Sequence, residues 1–278
     1  MSGISLNPEQ QAAVDYGDGP LLILAGAGSG KTRVLTSRVA RLVAEHGVPP
    51  RRILAVTFTN KAAGVMRDRI ADKLGEDPRG LWAGTFHSVC ARLLRREGDR
   101  LPRGARFTIY DEDDSRRALK QAMEEVDLDP ARWTPNALRA RISDAKNALV
   151  SPDEYSEQAF DLMSRAVAKA YPAYEKVLVR SNAYDFDDLL VHTVRLLEDH
   201  QEVGDRYAEQ FLHVLVDEYR DTNHAQYRIV RRLARGHGNV CVVGDDDQSI
   251  YGWRGADVRN ILDFERDFPG AAVVRLEE

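Results

Sequence analysis

The stretch "LLILAGAGSGKT", residues 21–32, constrains this chain more than any other. Its apolar opening has no polar alternation, which suits a strand buried on both faces. A glycine-rich turn follows. Then Lys31 and Thr32 open "KTRVLTSRVARLVAEHG", where Leu35, Val39, Leu42 and Val43 share one helical face and Gly47, Pro49 and Pro50 stop the helix. Strand, loop and helix start in that order fit the P-loop pattern. Ala25 takes the leading small-residue place, and Gly26, Ala27, Gly28 and Ser29 precede Gly30-Lys31-Thr32. Glycines let backbone N–H groups face phosphates, and the helix N-terminus adds positive potential. In that pattern Lys31 reaches the β- and γ-phosphates and Thr32 ligates Mg²⁺. A chance glycine-rich turn would lack the flanking strand and helix.

Five further apolar runs recur along the chain: "ILAVTF", "LWAGTF", "HVLVD", "VCVVGD" and "AAVVRLEE". Strands alternating with amphipathic helices predict an α/β domain with a mainly parallel sheet. From about residue 88 to 198 the rhythm breaks, and apart from "FTIY" the segments read as helices: "SRRALKQAMEEV", "NALRARISDAKNALV" and "DFDDLLVHTVRLLEDH". The expected organisation is an all-helical insertion, residues 88–198, flanked by the two parts of the α/β domain, residues 1–87 and 199–278.

The chain has 278 residues, 43% of them hydrophobic, enough for such a pair of cores. No apolar run approaches the roughly 20 residues of a membrane helix, and "MSGISLNPEQQ" has no signal-peptide core, so a cytoplasmic protein with no membrane partner is expected. Two distant cysteines, Cys90 and Cys241, read as small core residues rather than a disulfide framework. A net charge of −5 argues against a wholly basic nucleic-acid coat but leaves room for a local basic groove.

Behind "HVLV" stand Asp217 and Glu218. A P-loop enzyme needs a second metal contact and a water-activating base, and adjacent residues at a strand end diverge to serve both. Such a pair is by itself often surface charge or a helix cap; the P-loop changes its meaning. The loops "TNKAA", "FHS" and "GDDDQS" also follow strands, and ligands of open α/β sheets bind outside the carboxyl ends of strands. Aromatics gather in these loops: Phe58, Phe86, and Tyr251 with Trp253 in "IYGWRG", while Phe186 sits in "DFDDL". Each ring alone is more often core. Together, beside Arg254, Lys61 and His87, they read as stacking platforms for single-stranded bases, worth about 1–3 kcal/mol per base.

These stretches, with "LNPEQ", "AGAGSGKT", "TFTNKAA", "GTFHS", "DFDDL", "DEYRD" and "GDDDQSIYGWRGA" in order over nearly the whole length, resemble the first half of a superfamily 1A DNA helicase of the UvrD/Rep/PcrA type. The resemblance implies a RecA-like P-loop NTPase domain. It implies ATP and Mg²⁺ as cofactors, with Thr32 and Asp217 at the metal. Lys31, Thr32, Asp217 and Glu218 would run hydrolysis, Gln248 would sense the γ-phosphate, Gln10 would read the adenine edge and Arg33 would lie near the base. By the same resemblance Phe58, Asn60, Thr85, His87, Phe186, Tyr251, Trp253 and Arg254 would contact single-stranded DNA. The insertion would be the duplex-contacting subdomain, and partners would be single-stranded DNA, single/double-strand junctions and repair or replication proteins. Movement would run 3′ to 5′.

Arg220 departs from the pattern, standing where the family usually has glutamine. The chain also stops at "VVRLEE", where the family's second RecA-like domain would begin. The expectation is therefore a helicase/translocase present as its N-terminal half. Two alternatives stand beside it: a nucleotide- and DNA-binding module with negligible turnover in isolation, and a P-loop ATPase with no nucleic-acid role, which leaves "TFTNKAA" and Trp253 unexplained.

Overall fold

The computed structural model describes residues 5–244 and 264–276. In chain order its elements are α1 (Pro8–Asp15), β1 (Leu21–Ala25), α2 (Lys31–Ala44), β2 (Ile53–Thr57), α3 (Asn60–Leu74), β3 (Trp82–Thr85), α4 (Phe86–Arg96), β4 (Thr108–Tyr110), α5 (Glu112–Glu125), α6 (Pro135–Asn147), α7 (Pro152–Glu157), α8 (Leu162–Arg180), β5 (Ala183–Asp185), α9 (Phe186–Asp199), α10 (Gln201–Gln210), β6 (His213–Val216), α11 (His224–Ala234), β7 (Val240–Gly244) and β8 (Ala272–Leu276). They divide into two compact units. One comprises Met1–Val89, Gln201–Thr222 and Ile229–Glu278; the other comprises Cys90–His200 with Asn223–Arg228.

The first unit is built on a six-stranded sheet of order β3-β2-β6-β7-β1-β8, parallel in every described pairing. All six apolar runs of the sequence are its strands. Side chains alternate across a strand, so Leu21, Ile23, Ile53, Ala55, Leu215, Cys241 and Val243 form one core with Val34, Leu35 and Val39 of α2 and Met66 and Ile70 of α3. Leu22, Leu24, Leu54, Val56, Val214 and Val242 point to the other face and are equally buried. That two-sided burial is why these strands show no polar alternation. Beside the edge strand β3, Trp82 meets Phe211 edge-on at 5.1 Å and Tyr207 at 6.5 Å, rings supplied by α10 and the turn after it. Both cysteines are buried. Among the described residues no helix is long and apolar enough to cross a membrane.

The second unit gathers Leu119 and Met123 of α5, Leu138 and Ile142 of α6, and Val167, Tyr171, Tyr174 and Leu178 of α8 around one core. It differs from the all-helical expectation in one point. Thr108–Tyr110 pairs in parallel with Ala183–Asp185 as a two-stranded ladder, backed by Phe107 against the Tyr184 ring at 4.8 Å. "FTIY" carries strand-forming residues, but three residues of "AYD" are too short to show a period.

At the end of that ladder Asp185 caps α9. Its Oδ1 accepts from the Asp188 N–H at 2.7 Å, and Asp188 Oδ2 accepts from the Asp185 N–H at 3.2 Å, a capping box of two carboxylates. Lys146 of α6, 3% exposed, closes it. Its Nζ donates to Asp185 Oδ2 at 2.8 Å and Asp188 Oδ1 at 2.9 Å, and meets Glu175 at 2.6 Å as an ion pair. The Tyr174 hydroxyl donates to Asp185 at 2.8 Å. Burial opposes charge on Lys146, but three carboxylates hold its ammonium protonated well above the ordinary range. Three acids against one base leave a surplus negative charge. Burial and the Asp185 charge accordingly raise the Asp188 carboxyl, against the pull of Lys146.

Candidate nucleotide and nucleic-acid site

The loop after β1 is held by its glycines and by α1. Gly28 and Gly30 have φ of 82° and 88°, left-handed conformations that disfavour other residues. Ser29 folds back on Gly26, its hydroxyl donating to the Gly26 carbonyl at 2.7 Å. Gly30 stands directly before α2 without any side-chain cap, so the loop runs straight into the positive N-terminal end of that helix. Lys31, Thr32 and Arg33, the first three residues of α2, are partly exposed.

Gln10 clips α1 onto this loop. Asn7 and Gln10 form a capping box at the start of α1, with Asn7 Oδ1 accepting from Gln10 N at 2.8 Å and Gln10 Oε1 accepting from Asn7 N at 3.1 Å. Gln10 Nε2 donates to the Ser29 carbonyl at 2.8 Å. One amide N–H and one lone pair of Gln10 stay uncommitted, the set a bidentate contact to an adenine edge uses. The contact is so close that a Cβ on Gly30 would lie 2.8 Å from Gln10 Nε2.

The acidic pair follows β6, two strands from β1. Asp217 is buried and Glu218 exposed, so their side chains diverge. The Glu218 N–H donates to Asp217 Oδ1 at 2.9 Å, and Glu218 itself sits at φ 52°, ψ 41°, a left-handed conformation costing a non-glycine residue roughly 1–2 kcal/mol. Burial raises the Asp217 carboxyl, while the Glu218 N–H and the Lys31 charge pull it down. Burial and the neighbouring charges of Asp217 and Asp221 raise Glu218, against the pull of Lys31. Lys31 is thus within electrostatic reach of both acids. Among the described residues no group of three or more His, Cys, Asp or Glu could cage a metal. A Mg²⁺ carried on phosphates needs only one or two protein oxygens, and the buried Asp217 carboxylate, holding one backbone hydrogen bond, is an oxygen donor of that kind.

The edge continues over β2 and β3. Phe58 follows β2, partly exposed, with its ring 5.6 Å from Phe86 and at 63° to it. Phe86, 3% exposed, is a core residue that backs Phe58. Asn60 is exposed at the first position of α3, where Thr59 caps by accepting from Ala62 N at 3.1 Å. Thr85 is 7% exposed; its oxygen accepts from Ser88 N at 3.1 Å at the start of α4, leaving its O–H uncommitted. His87 is partly exposed one residue into that helix. Phe186, in the second unit, is 47% exposed at the start of α9. Gln248, Tyr251, Trp253 and Arg254 lie outside the described residues, as does the side chain of Arg220.

Sequence reasoning passed over Asn7, although N-P-E-Q carries the spacing of a capping box. It also passed over Arg38, whose partners lie more than twenty residues away and leave no local signal.

Comparison with known proteins gives a consistent answer. The family model described as UvrD/REP helicase N-terminal domain matches residues 6–269. The chain is 49% identical over 273 residues to the ATP-dependent DNA helicase PcrA of Bacillus subtilis, covering 98% of this chain and 37% of that protein. It is 47% identical over 274 residues to the PcrA of Staphylococcus epidermidis, covering 99% and 38%, and 47% identical over 273 residues to that of Staphylococcus aureus, covering 98% and 37%. The chain therefore spans less than two fifths of the length of these curated relatives. By its sequence, this chain belongs to the UvrD/REP helicase N-terminal domain family.

Proposed function

We propose that this chain is the nucleotide-binding part of an ATP-dependent DNA helicase/translocase, which couples ATP hydrolysis to movement on single-stranded DNA, 3′ to 5′ as the family resemblance implies. One observation carries the reading. A single sheet edge bears, in strand order, the partly exposed His87 after β3, the partly exposed Phe58 and exposed Asn60 after β2, an acidic pair after β6, and a glycine loop with a lysine after β1.

In this reading the loop 26–30 and the start of α2 cradle the triphosphate, and Lys31 offsets its charge. Gln10 and Arg33 receive the base. Thr32 and Asp217 would hold Mg²⁺, which supplies charge neutralisation on the β- and γ-phosphate oxygens. Glu218, raised by partial burial and by the neighbouring charges of Asp217 and Asp221, accepts a proton from attacking water; a carboxylate so raised is a better base near neutral pH. Gln248 senses the γ-phosphate. Phe58, Asn60, Thr85, His87, Tyr251, Trp253 and Arg254 take the DNA strand, joined by Phe186 of the inserted unit, whose task is duplex contact at single/double-strand junctions. Repair or replication proteins would be its partners, in the cytoplasm.

The test is phosphate release by the 278-residue chain with and without single-stranded oligonucleotide, together with fluorescence anisotropy of a labelled oligonucleotide across salt concentrations. Nucleotide binding that Lys31→Ala abolishes, and DNA affinity that falls steeply as salt rises, are the expected results. DNA affinity indifferent to salt and to Phe58→Ala would return the chain to the plain P-loop ATPases. A second reading, binding with negligible turnover by these 278 residues alone, is favoured by the length comparison. Strong DNA-stimulated turnover by this chain would defeat it.

A further inference from the structure

Arg38 of α2 is 4% exposed, and among the described residues no carboxylate pairs with its charge. Backbone carbonyls take that place. Its Nη1 donates to Ala13 O at 3.1 Å, to Val14 O at 3.5 Å and to Tyr16 O, and its Nη2 donates to Gly17 O at 3.0 Å. These are the carbonyls at and just past the C-terminus of α1, where a helix leaves acceptors without partners and concentrates negative potential. Its guanidinium also lies 5.8 Å from the centre of the Tyr16 ring. One turn on, Arg41 donates to Val14 O at 3.3 Å and pairs with Asp15.

This helix needs holding. It has eight residues and no basic residue in its last turn, and Ala13 and Val14 are its only buried apolar side chains. An isolated helix that short does not persist in water. At its other end it presents Gln10 to the Ser29 carbonyl. Gly17 stands seven positions after Gln10, about 10 Å at helical rise.

Resting on the functional reading above, we propose that Arg38 is a positioning residue for base recognition. By gathering the C-terminal carbonyls of α1 it fixes the helix that aims Gln10, and so governs the preference for adenine without touching the nucleotide. Loop and helix then form a closed circuit: β1 leads through the glycine loop into α2, Arg38 reaches from α2 to the end of α1, and Gln10 returns from α1 to the loop. Opening the circuit at Arg38 frees Gln10 at the far end.

The test compares ATP and GTP affinities of the 278-residue chain by competition against a fluorescent ADP analogue. Variants are Arg38→Met, Arg41→Ala, Gln10→Ala and the double Arg38→Met/Gln10→Ala, with circular dichroism as the check of folding. Wild type should prefer ATP, and Gln10→Ala should erase that preference. Arg38→Met should lower the ATP:GTP ratio roughly fivefold or more, the order expected for losing aligned hydrogen bonds. The double variant should be no worse than Gln10→Ala, and Arg41→Ala should shift the ratio less but in the same direction. A folded Arg38→Met with the wild-type ratio, an equal loss for both nucleotides, or losses that multiply in the double variant would each overturn the proposal. If Arg38→Met does not fold, Arg41→Ala decides, and an unchanged ratio overturns it. A wild type that binds both nucleotides equally overturns this inference and spares the functional reading. One that binds neither overturns both.

Discussion

Replacing Lys146 by methionine keeps the unbranched apolar stem and removes the one positive charge among Glu175, Asp185 and Asp188. The three contacts lie at 2.6–2.9 Å. At an effective dielectric constant near 20, each ionised pair at that distance is worth about 6 kcal/mol before desolvation, so the gross attraction is large and the net much smaller. A second bound comes from protonation. Without the ammonium, Asp185 can escape by taking a proton, at a cost of about 1.4 kcal/mol for each pH unit above its unfolded value near 3.9. That is about 5–6 kcal/mol at pH 8 and about 2 kcal/mol at pH 5.5. Breaking a buried pair typically costs about 3–5 kcal/mol, inside the first bound and above the second. The variant should therefore lose about 3–5 kcal/mol relative to wild type at pH 8 and about 2 kcal/mol or less at pH 5.5. Urea titrations read by hydrogen exchange in peptides from α6 and α9 measure both differences. Adding Asp185→Asn to the variant should recover more than half of the loss at pH 8. A loss below about 1 kcal/mol at pH 8, or the same loss at both pH values, would refute the argument that Lys146 exists to neutralise this cluster.

Three further outcomes follow from named contacts. Glu218→Gln should retain nucleotide affinity within a few-fold while turnover falls by about 10²–10⁴, the range for removing a general base; phosphate release at saturating ATP checks it. Gly30→Ala should cost about 1–2 kcal/mol for its left-handed backbone and about 1 kcal/mol for displacing Gln10 from Ser29. Denaturant midpoints should show that adding Gln10→Ala costs less than the two changes summed. Burial, with Arg38 nearby, holds His213 down to about 4. Because that is below its unfolded value, its contribution is complete above about pH 6.5 and is lost as pH falls toward 4. The stability gap between wild type and His213→Gln should narrow by about 2 kcal/mol between pH 7.5 and pH 5, and proton NMR should show the imidazole titrating near the lower value.

How much of this was legible depended on how local each signal was. The strands of the large sheet announce themselves because burial on both faces leaves runs such as "LLILA" and "VCVVG" without polar residues, and the phosphate loop because its residues are contiguous. The sequence read Asp217 and Glu218 as a pair, but not that Glu218 would take a left-handed backbone, since nothing in "VDEYRD" demands glycine there. "DFDDL" reads as the start of a helix and, through Phe186, as a DNA motif; that two of its aspartates are buried around Lys146 depends on residues 146, 175, 185 and 188 meeting from separate elements. Arg38 is hidden for the same reason. On the helix pattern it is one more polar residue among arginines, and only the fold brings four carbonyls to it.

The strand order sets a ruler along the working edge. Neighbouring parallel strands are about 4.8 Å apart, so the glycine loop on β1 stands about 10 Å from the acidic pair on β6, about 14 Å from Phe58 on β2 and about 19 Å from the end of β3. No side chain spans the longer gaps. A triphosphate and a nucleic-acid base held at these stations could sense each other only through the termini of β6 and β7 between them. In the proposed function, a signal between those stations would cross the sheet sideways, and Asp217 and Glu218 occupy the middle of that interval.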